Sequence, residues 1–313
     1  MNRTYFYSVY GLDIESEIKI PQFIEKKSQK NNTNVVTIKY GNLSDNFIES
    51  KRNNNSNMIF EKNIVWFEIK DLASYYIEGG KTIIITPCVD ADIELLRVYI
   101  MCSCLGFIML QREQVAIHGG VINIDGNAVI FTGDRGAGKS TLTTALRNKG
   151  YHFISDDVAA TFFDKVPYVY PGFPYQKLCD DAMDYLGYER EDLSKIIGDE
   201  KIKYIVPAFD SFYDESVPLR SIVKLTVGDI DKVTIEELRG HEKLNSVMKN
   251  VYRQEFLGFM GGMSPIFIKK CLDIAKNIKC YKLTRPKEGF TVNEQIEVLE
   301  DTFKDIRTQE RAI

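Results

Sequence analysis

The stretch FTGDRGAGKSTLTTAL, residues 131–146, constrains what this chain can fold into more than any other. Gly133, Gly138, Lys139 and Ser140 fill the spacing G-x-x-x-x-G-K-[ST], with a further glycine at 136. Such a loop requires a strand before it and a helix after it. Its backbone N–H groups have to converge on phosphate oxygens, and the helix N-terminus adds a dipole that favours anions. Both neighbours are legible here. AVIFTG reads as a strand, and the helix formers through Thr143 to Arg147 end at Gly150. Upstream, VAIHGGVINI and the turn IDGN make an apolar hairpin that feeds the loop, and YHFISDD beyond the helix is another short strand.

The loop assigns Gly133, Asp134, Arg135, Gly136, Ala137, Gly138, Lys139, Ser140 and Thr141 as candidate nucleotide contacts. Lys139 would reach the β- and γ-phosphates, and Ser140 would ligate Mg²⁺. Ser155-Asp156-Asp157 falls where the strand after the loop helix should end. Adjacent residues on an extended strand point to opposite faces, so the two carboxylates divide between a metal role and a base role. In one assignment Asp156 takes the proton of an acceptor hydroxyl while Asp157 and Ser140 hold the metal; the roles of the two aspartates are exchangeable at this level. His118 in AIHGG is either a polar residue satisfied at a strand end or a donor and proton relay near the γ-phosphate. Lys177, Lys201, Lys203, Arg220 and Arg285 are candidate phosphate or substrate clamps, each weighed against being a solvated surface charge.

The chain divides into a β-rich module over residues 1–88 and a larger domain over residues 89–313 that carries the Gly-rich loop. TYFYSVYGL, NVVTIKY, NMIFE, IVWFEI and TIIIT are strand-like runs separated by polar breaks, and they read as a small antiparallel domain. Asp90 or Asp92 caps a helix that runs to about Leu110. Its apolar run Val98–Leu110 is shorter than the ~18–20 residues of a membrane span, which makes it a core helix and excludes a membrane partner. VAATFF and VPYVYPG form a second hairpin, YQKLCDDAMDYLG a short helix and VPLRSIVKLTVG a buried strand. TIEELRGHEKLNSVMKNVYRQEFL and SPIFIKKCLDIAKNI show helical periodicity, CYKLTRP is a strand, and VNEQIEVLEDTFKDI is a last helix.

A formal charge of −4 gives no basic field for nucleic acid. The six cysteines lack C-x-x-C or zinc spacing and read as core thiols of a reducing cytoplasm. The N-terminus lacks the order of a signal peptide. No N-K-x-D follows the loop, against a GTPase, and no LSGGQ-like segment, against a transporter ATPase.

HGGVINIDGNAVIFTGDRGAGKSTLTTALRNKGYHFISDDVA resembles the catalytic core of HPr kinase/phosphorylase in its His-Gly before a hairpin, its P-loop and its closing pair of aspartates. The resemblance continues through YPGFPYQKLCDDA, VPLRSIVKL and CYKLTRP. YSVYGLDIESEIKIP is similar to the opening of the shorter HPr-kinase-like proteins from peptide natural-product clusters. It implies an α/β (α+β) fold with a phosphoenolpyruvate-carboxykinase-like P-loop kinase core, and Mg-ATP-dependent transfer to a serine hydroxyl. His118, Lys139, Ser140, Asp156 and Asp157 inherit active-site status from it, and a homo-oligomer is consistent with it. Residues 1–88 do not resemble the N-terminal domain of HPr kinase, and no downstream segment rich in Asn, Arg and Lys is found. The preferred acceptor is therefore the C-terminal serine of a lasso-type precursor peptide. The alternatives are HPr or a small alcohol as acceptor, and a nucleotide-binding regulatory protein without transfer activity.

Overall fold

The computed structural model describes residues 3–27, 35–43, 58–191, 193–197 and 202–310, so that Lys201 lies outside the described residues. The chain is a mixed α/β protein of two compact units: residues 1–116 with 251–270, and residues 117–250 with 271–313. This division differs from the boundary at residue 88 expected from the sequence. The polar break after Pro87 ends a strand, and the apolar helix that follows belongs with the first unit.

In the first unit β1 (Tyr5–Val9), β2 (Leu12–Ser16), β3 (Val35–Tyr40), β4 (Met58–Phe60), β5 (Ile64–Ile69), β6 (Ala73–Glu78) and β7 (Thr82–Pro87) make one sheet in the order β1-β2-β3-β7-β6-β5-β4. The hairpins β1–β2, β4–β5, β5–β6 and β6–β7 are antiparallel, as expected from the short polar breaks. The pairs β2–β3 and β3–β7 are parallel, which corrects the expectation of an antiparallel module. Parallel neighbours require long crossovers, and residues 17–34 and the intervening β4–β6 provide them.

Helix α1 (Ile93–Gln111) follows, with Asp92 as its cap: Asp92 Oδ1 accepts from the N–H of Glu94 at 2.9 Å and of Leu95 at 3.2 Å. Its mean hydropathy of 1.9 and its length meet the requirement for crossing a bilayer. Even so, Leu96, Ile100, Leu105 and Ile108 are buried inside the protein. One π turn, Ile100–Cys104, interrupts the helix, with Leu105 N–H donating to the Ile100 carbonyl. Here the carbonyl of Cys102 accepts from the Tyr252 hydroxyl at 2.7 Å, and Arg253 donates to the Ser103 hydroxyl at 2.9 Å. The returning segment 251–270 thus packs on the turn it satisfies, and Phe256 lies tilted against Phe60 and edge-on to Phe107, at 4.6 and 5.2 Å between ring centroids.

The second unit contains β8 (Ala116–His118), β9 (Gly120–Ile124), β10 (Asn127–Gly133), α2 (Lys139–Asn148), β11 (His152–Ser155), β12 (Val158–Phe163) and β13 (Pro167–Val169). They are followed by β14 (Tyr175–Cys179), α3 (Asp180–Leu186), β15 (Lys195–Ile197), β16 (Ile202–Pro207), β17 (Val217–Gly228), β18 (Thr234–Leu238), α4 (Gly240–Met248), α5 (Pro265–Asn277), which begins in the first unit and enters the second at Cys271, β19 (Lys279–Pro286) and α6 (Val292–Glu310). The main sheet runs β11-β9-β10-β17-β13-β12-β8, with β19 also on β17 and β18 on β19. Its centre, β10–β17–β19, is parallel, and a small antiparallel sheet β14-β16-β15 stands apart. Asp125 and Gly126, both at positive φ, close the β9–β10 hairpin as the DG turn predicts. Val129, Phe131, Leu142, Phe153, Val223 and Leu283 are buried together and fix α2 on the sheet.

Two expectations fail locally. TIEEL is a strand pairing with β19, and the helix begins only at Gly240, which has φ 54°. Five residues do not distinguish an alternating strand from one turn of an amphipathic helix. YQKLC is likewise strand β14, and only the following residues are helical. Of the cysteines, Cys104, Cys271 and Cys280 are buried, whereas Cys88 is exposed and Cys102 and Cys179 are half-buried.

Candidate active site

Strand β10 delivers the Gly-rich loop with its backbone already committed. Gly133 has φ 138°, and a Cβ there would come within 2.3 Å of the Leu225 carbonyl oxygen. Gly136 and Gly138 have φ 83° and 101°, values that L side chains rarely adopt. Lys139 opens α2, and its ammonium donates to the carbonyls of Gly133 at 2.7 Å and Asp134 at 3.2 Å. Burial pulls the Lys139 pKa below its ordinary value, against the opposing pull of Asp157. Ser140 and Thr141 are half-buried in the first turn, and Asp134, Arg135 and Gly136 are exposed at the loop tip.

The loop is held from two sides by residues far away in sequence. Arg285, at the end of β19, donates from Nε to the Ala137 carbonyl and from a terminal nitrogen to the Gly136 carbonyl, both at 3.2 Å. Gln176, fully buried on β14, donates to the Thr143 hydroxyl and accepts from that of Thr144, both at 3.1 Å. Both threonine hydroxyls also donate to the Ser140 carbonyl, which ties the first turn of α2 to β14.

Asp156 and Asp157 occupy the turn that follows β11. The Ser155 hydroxyl closes this turn by donating to the Val158 carbonyl at 2.6 Å. Asp156 is 5% exposed and accepts the Lys177 N–H at 3.0 Å. Burial, reinforced by the adjacent Asp157 charge, raises its pKa. Asp157 is half-buried, and that burial by itself would raise its pKa too. The ion pair with the Lys177 ammonium, with Lys203 adding to it, outweighs burial and holds it well below the carboxylate range. Asp157 is therefore held as the anion, while Asp156 keeps its proton to higher pH than an ordinary carboxyl.

His118 sits beside this pair. Its N–H donates to the Asn250 carbonyl at 2.6 Å, and its Nδ1 lies 3.2 Å from the Asp157 carbonyl oxygen. A carbonyl can only accept, which places a proton on Nδ1 and leaves Nε2 as the basic nitrogen. Burial lowers the His118 pKa, so the ring is neutral at neutral pH. The Thr132 hydroxyl bridges the His118 carbonyl and Asn250 Oδ1 at 2.6 and 2.9 Å. The two glycines after His118 are steric necessities. A Cβ at 119 would lie 2.5 Å from the Phe131 oxygen, and one at 120 would lie 2.9 Å from the Thr143 methyl.

The structure thus brings together Lys139, Ser140, Asp156, Asp157, His118 and Lys177. Lys203 stands diagonally across the β14–β16 pair from Lys177, on the same face, and its charge acts on Lys139, Asp156 and Asp157. Arg285 is at the loop, where it braces carbonyls. Arg220 is not at the loop: it follows Leu219, the partner of Ala128 near the start of β10, whereas the loop leaves the other end at Gly133 opposite Leu225. Sequence reasoning missed Thr132, Gln176 and Asn250, whose roles depend on long-range partners.

No family model matches the chain. Over 75 residues it is 34% identical to the HPr kinase/phosphorylase of Mycoplasmopsis pulmonis (strain UAB CTIP), a match covering 21% of this chain. The matched region spans 24% of that relative's length. Among solved structures, the Hpr(Ser) kinase/phosphatase from Coxiella burnetii aligns with a TM-score of 0.32 and 12% identity, over 61% of this chain and 98% of that one.

Proposed function

We propose that this chain is an ATP-dependent kinase, of a phosphoenolpyruvate-carboxykinase-like nucleotide fold, that phosphorylates a serine hydroxyl of a peptide or protein. The observation that carries the reading is the convergence on one Gly-rich loop of a buried carboxyl with raised pKa, an adjacent fixed carboxylate and three lysines. The residues present fit Mg-ATP. A Cβ at Gly136 or Gly138 would meet nothing closer than 3.8 Å, the backbone there takes glycine-only dihedrals, and Ser140 and Asp157 offer the hard oxygen donors that Mg²⁺ prefers. When bound, the nucleotide supplies the transferable phosphoryl group and the cation neutralises its charge.

The protein's own residues then divide the remaining work. Asp156 takes the proton of the acceptor hydroxyl, a role suited to a carboxyl whose pKa has been moved toward working pH. Asp157 stays anionic beside Lys177 and serves the metal side with Ser140. Lys139, Lys177 and Lys203 face the developing phosphoryl charge. His118, neutral and fixed by its Nδ1–H, presents Nε2 to accept a proton at the site's edge.

The acceptor we favour is the C-terminal serine of a lasso-type precursor peptide. The second is HPr itself, favoured by the 34% identity to an HPr kinase/phosphorylase. Mass spectrometry of a panel incubated with Mg-ATP separates them, with Lys139→Ala as the blank. The panel holds peptides ending in free Ser, amidated Ser and Ala, together with HPr. Phosphate on the free C-terminal serine alone supports the peptide reading, and transfer to HPr alone supports the second. ATP binding without transfer or hydrolysis would leave a nucleotide-binding regulator. Unchanged transfer in Asp157→Ala would contradict the metal-side role.

A further inference from the structure

Arg220 is a strong cation that the loop does not use, and its surroundings give it another context. It lines a cavity of about 460 Å³ at the end of the parallel strands opposite the Gly-rich loop. The wall is built from the first residue of β10, Asn127, from Pro218, Leu219 and Arg220 at the start of β17, and from Lys279 at the start of β19. Val166, with Lys276 and Asn277 at the end of α5 and Ile278 just after it, completes the lining. Six residues of β10 separate Asn127 from Gly133, or about 20 Å at the ~3.3 Å rise of a strand, so this cavity is distinct from the loop.

Its chemistry is one-sided. Arg220, Lys276 and Lys279 contribute three positive charges, Asn127 and Asn277 contribute amides, and among the described residues the lining holds no carboxylate. The C-terminal end of α5 adds about half a negative charge to this lining. Arg220 Nε is out of contact with solvent, so the guanidinium is partly set into the wall rather than trailing in water. The volume falls in the ~300–1,000 Å³ range of small-molecule sites. Val166, Pro218, Leu219 and Ile278 provide an apolar floor.

We infer that this cavity is a second, anion-binding site, taking a small molecule that carries phosphoryl or carboxylate groups on a compact body. Arg220 grips an oxyanion edge with its planar fork, and the two lysines act as point charges around it. The inference rests on the cavity alone and stands or falls apart from the kinase reading.

Calorimetric titration of pyrophosphate into the full chain carrying Lys139→Ala, which cripples the loop site, tests it. Saturable binding is expected. Adding Arg220→Gln with Lys279→Gln should weaken it at least tenfold. Because Arg220 is half-buried, Lys276→Gln and Lys279→Gln are also made singly. Each should weaken pyrophosphate severalfold while leaving nucleotide affinity in the otherwise unaltered chain unchanged. Tricarballylate titrated in parallel assigns the source of the anion: tighter pyrophosphate binding means a phosphorylated ligand, tighter tricarballylate a polycarboxylate. Absence of binding in Lys139→Ala, or binding that the cavity substitutions leave unaltered, overturns the proposal.

Discussion

Replacing Asp156 by Asn keeps an oxygen for the Lys177 N–H and removes a carboxyl whose ionisation is opposed by burial and by Asp157. An acid with a raised folded pKa stabilises the fold below its ordinary pKa and loses that contribution as pH rises through the folded value. Asp156→Asn should therefore match the parent near pH 4 and exceed it at pH 8. The expected margin is on the order of 1 kcal/mol by denaturant titration at the two pH values. Phosphoryl transfer should fall by about 10²-fold or more if Asp156 is the base. Arg285 is tested by the pair Arg285→Gln and Arg285→Lys. Two N–H groups from one planar fork hold the Gly136 and Ala137 carbonyls, and an ammonium cannot reproduce that geometry. Both variants should weaken nucleotide binding, by roughly tenfold for a loss of about 1.4 kcal/mol, and Lys should rescue little. The loop and the paired aspartates were legible because their chemistry is encoded in consecutive residues. Asn250 was not legible, since Thr132, which it orients, is 118 positions away. The position of Arg220, away from the loop, was not legible for a related reason: charge is visible in a sequence, but the end of the strand that carries it is not.

Element by element, the hairpins and the loop helix announced themselves through turn chemistry, whereas strand direction did not. Nothing in NVVTIKY distinguishes a parallel from an antiparallel neighbour, because alternation fixes the buried face and leaves the partner open. TIEEL illustrates the opposite limit, since its outward Glu236 meets Lys282 across the pair only after β19 is in place. The π turn of α1 has a checkable dependence. Its Cys102 carbonyl is satisfied by Tyr252, so Tyr252→Phe should cost about 1 kcal/mol in thermal or denaturant unfolding. Amide exchange should quicken around residues 100–105 if the turn loosens as expected.

At the scale of the molecule, the first unit is discontinuous: residues 251–270 complete it after the whole run from 117 to 250 has passed through the second. A fragment of residues 1–116 lacks Phe256 beside Phe60 and Phe107, and it lacks the hydroxyl that satisfies the π turn. Expressed alone, it should be expanded and should bind a hydrophobic dye, and supplying residues 251–270 through a flexible linker should restore a cooperative unfolding transition. A single sheared boundary, as the sequence suggested at residue 88, would instead have predicted an autonomous N-terminal fragment. The same discontinuity orders events on the ribosome. At ~5–20 residues per second, translation from Ala116 to Val251 takes roughly ten seconds. The earliest-made unit thus waits, unfinished, for a strip of chain that emerges after the Gly-rich loop.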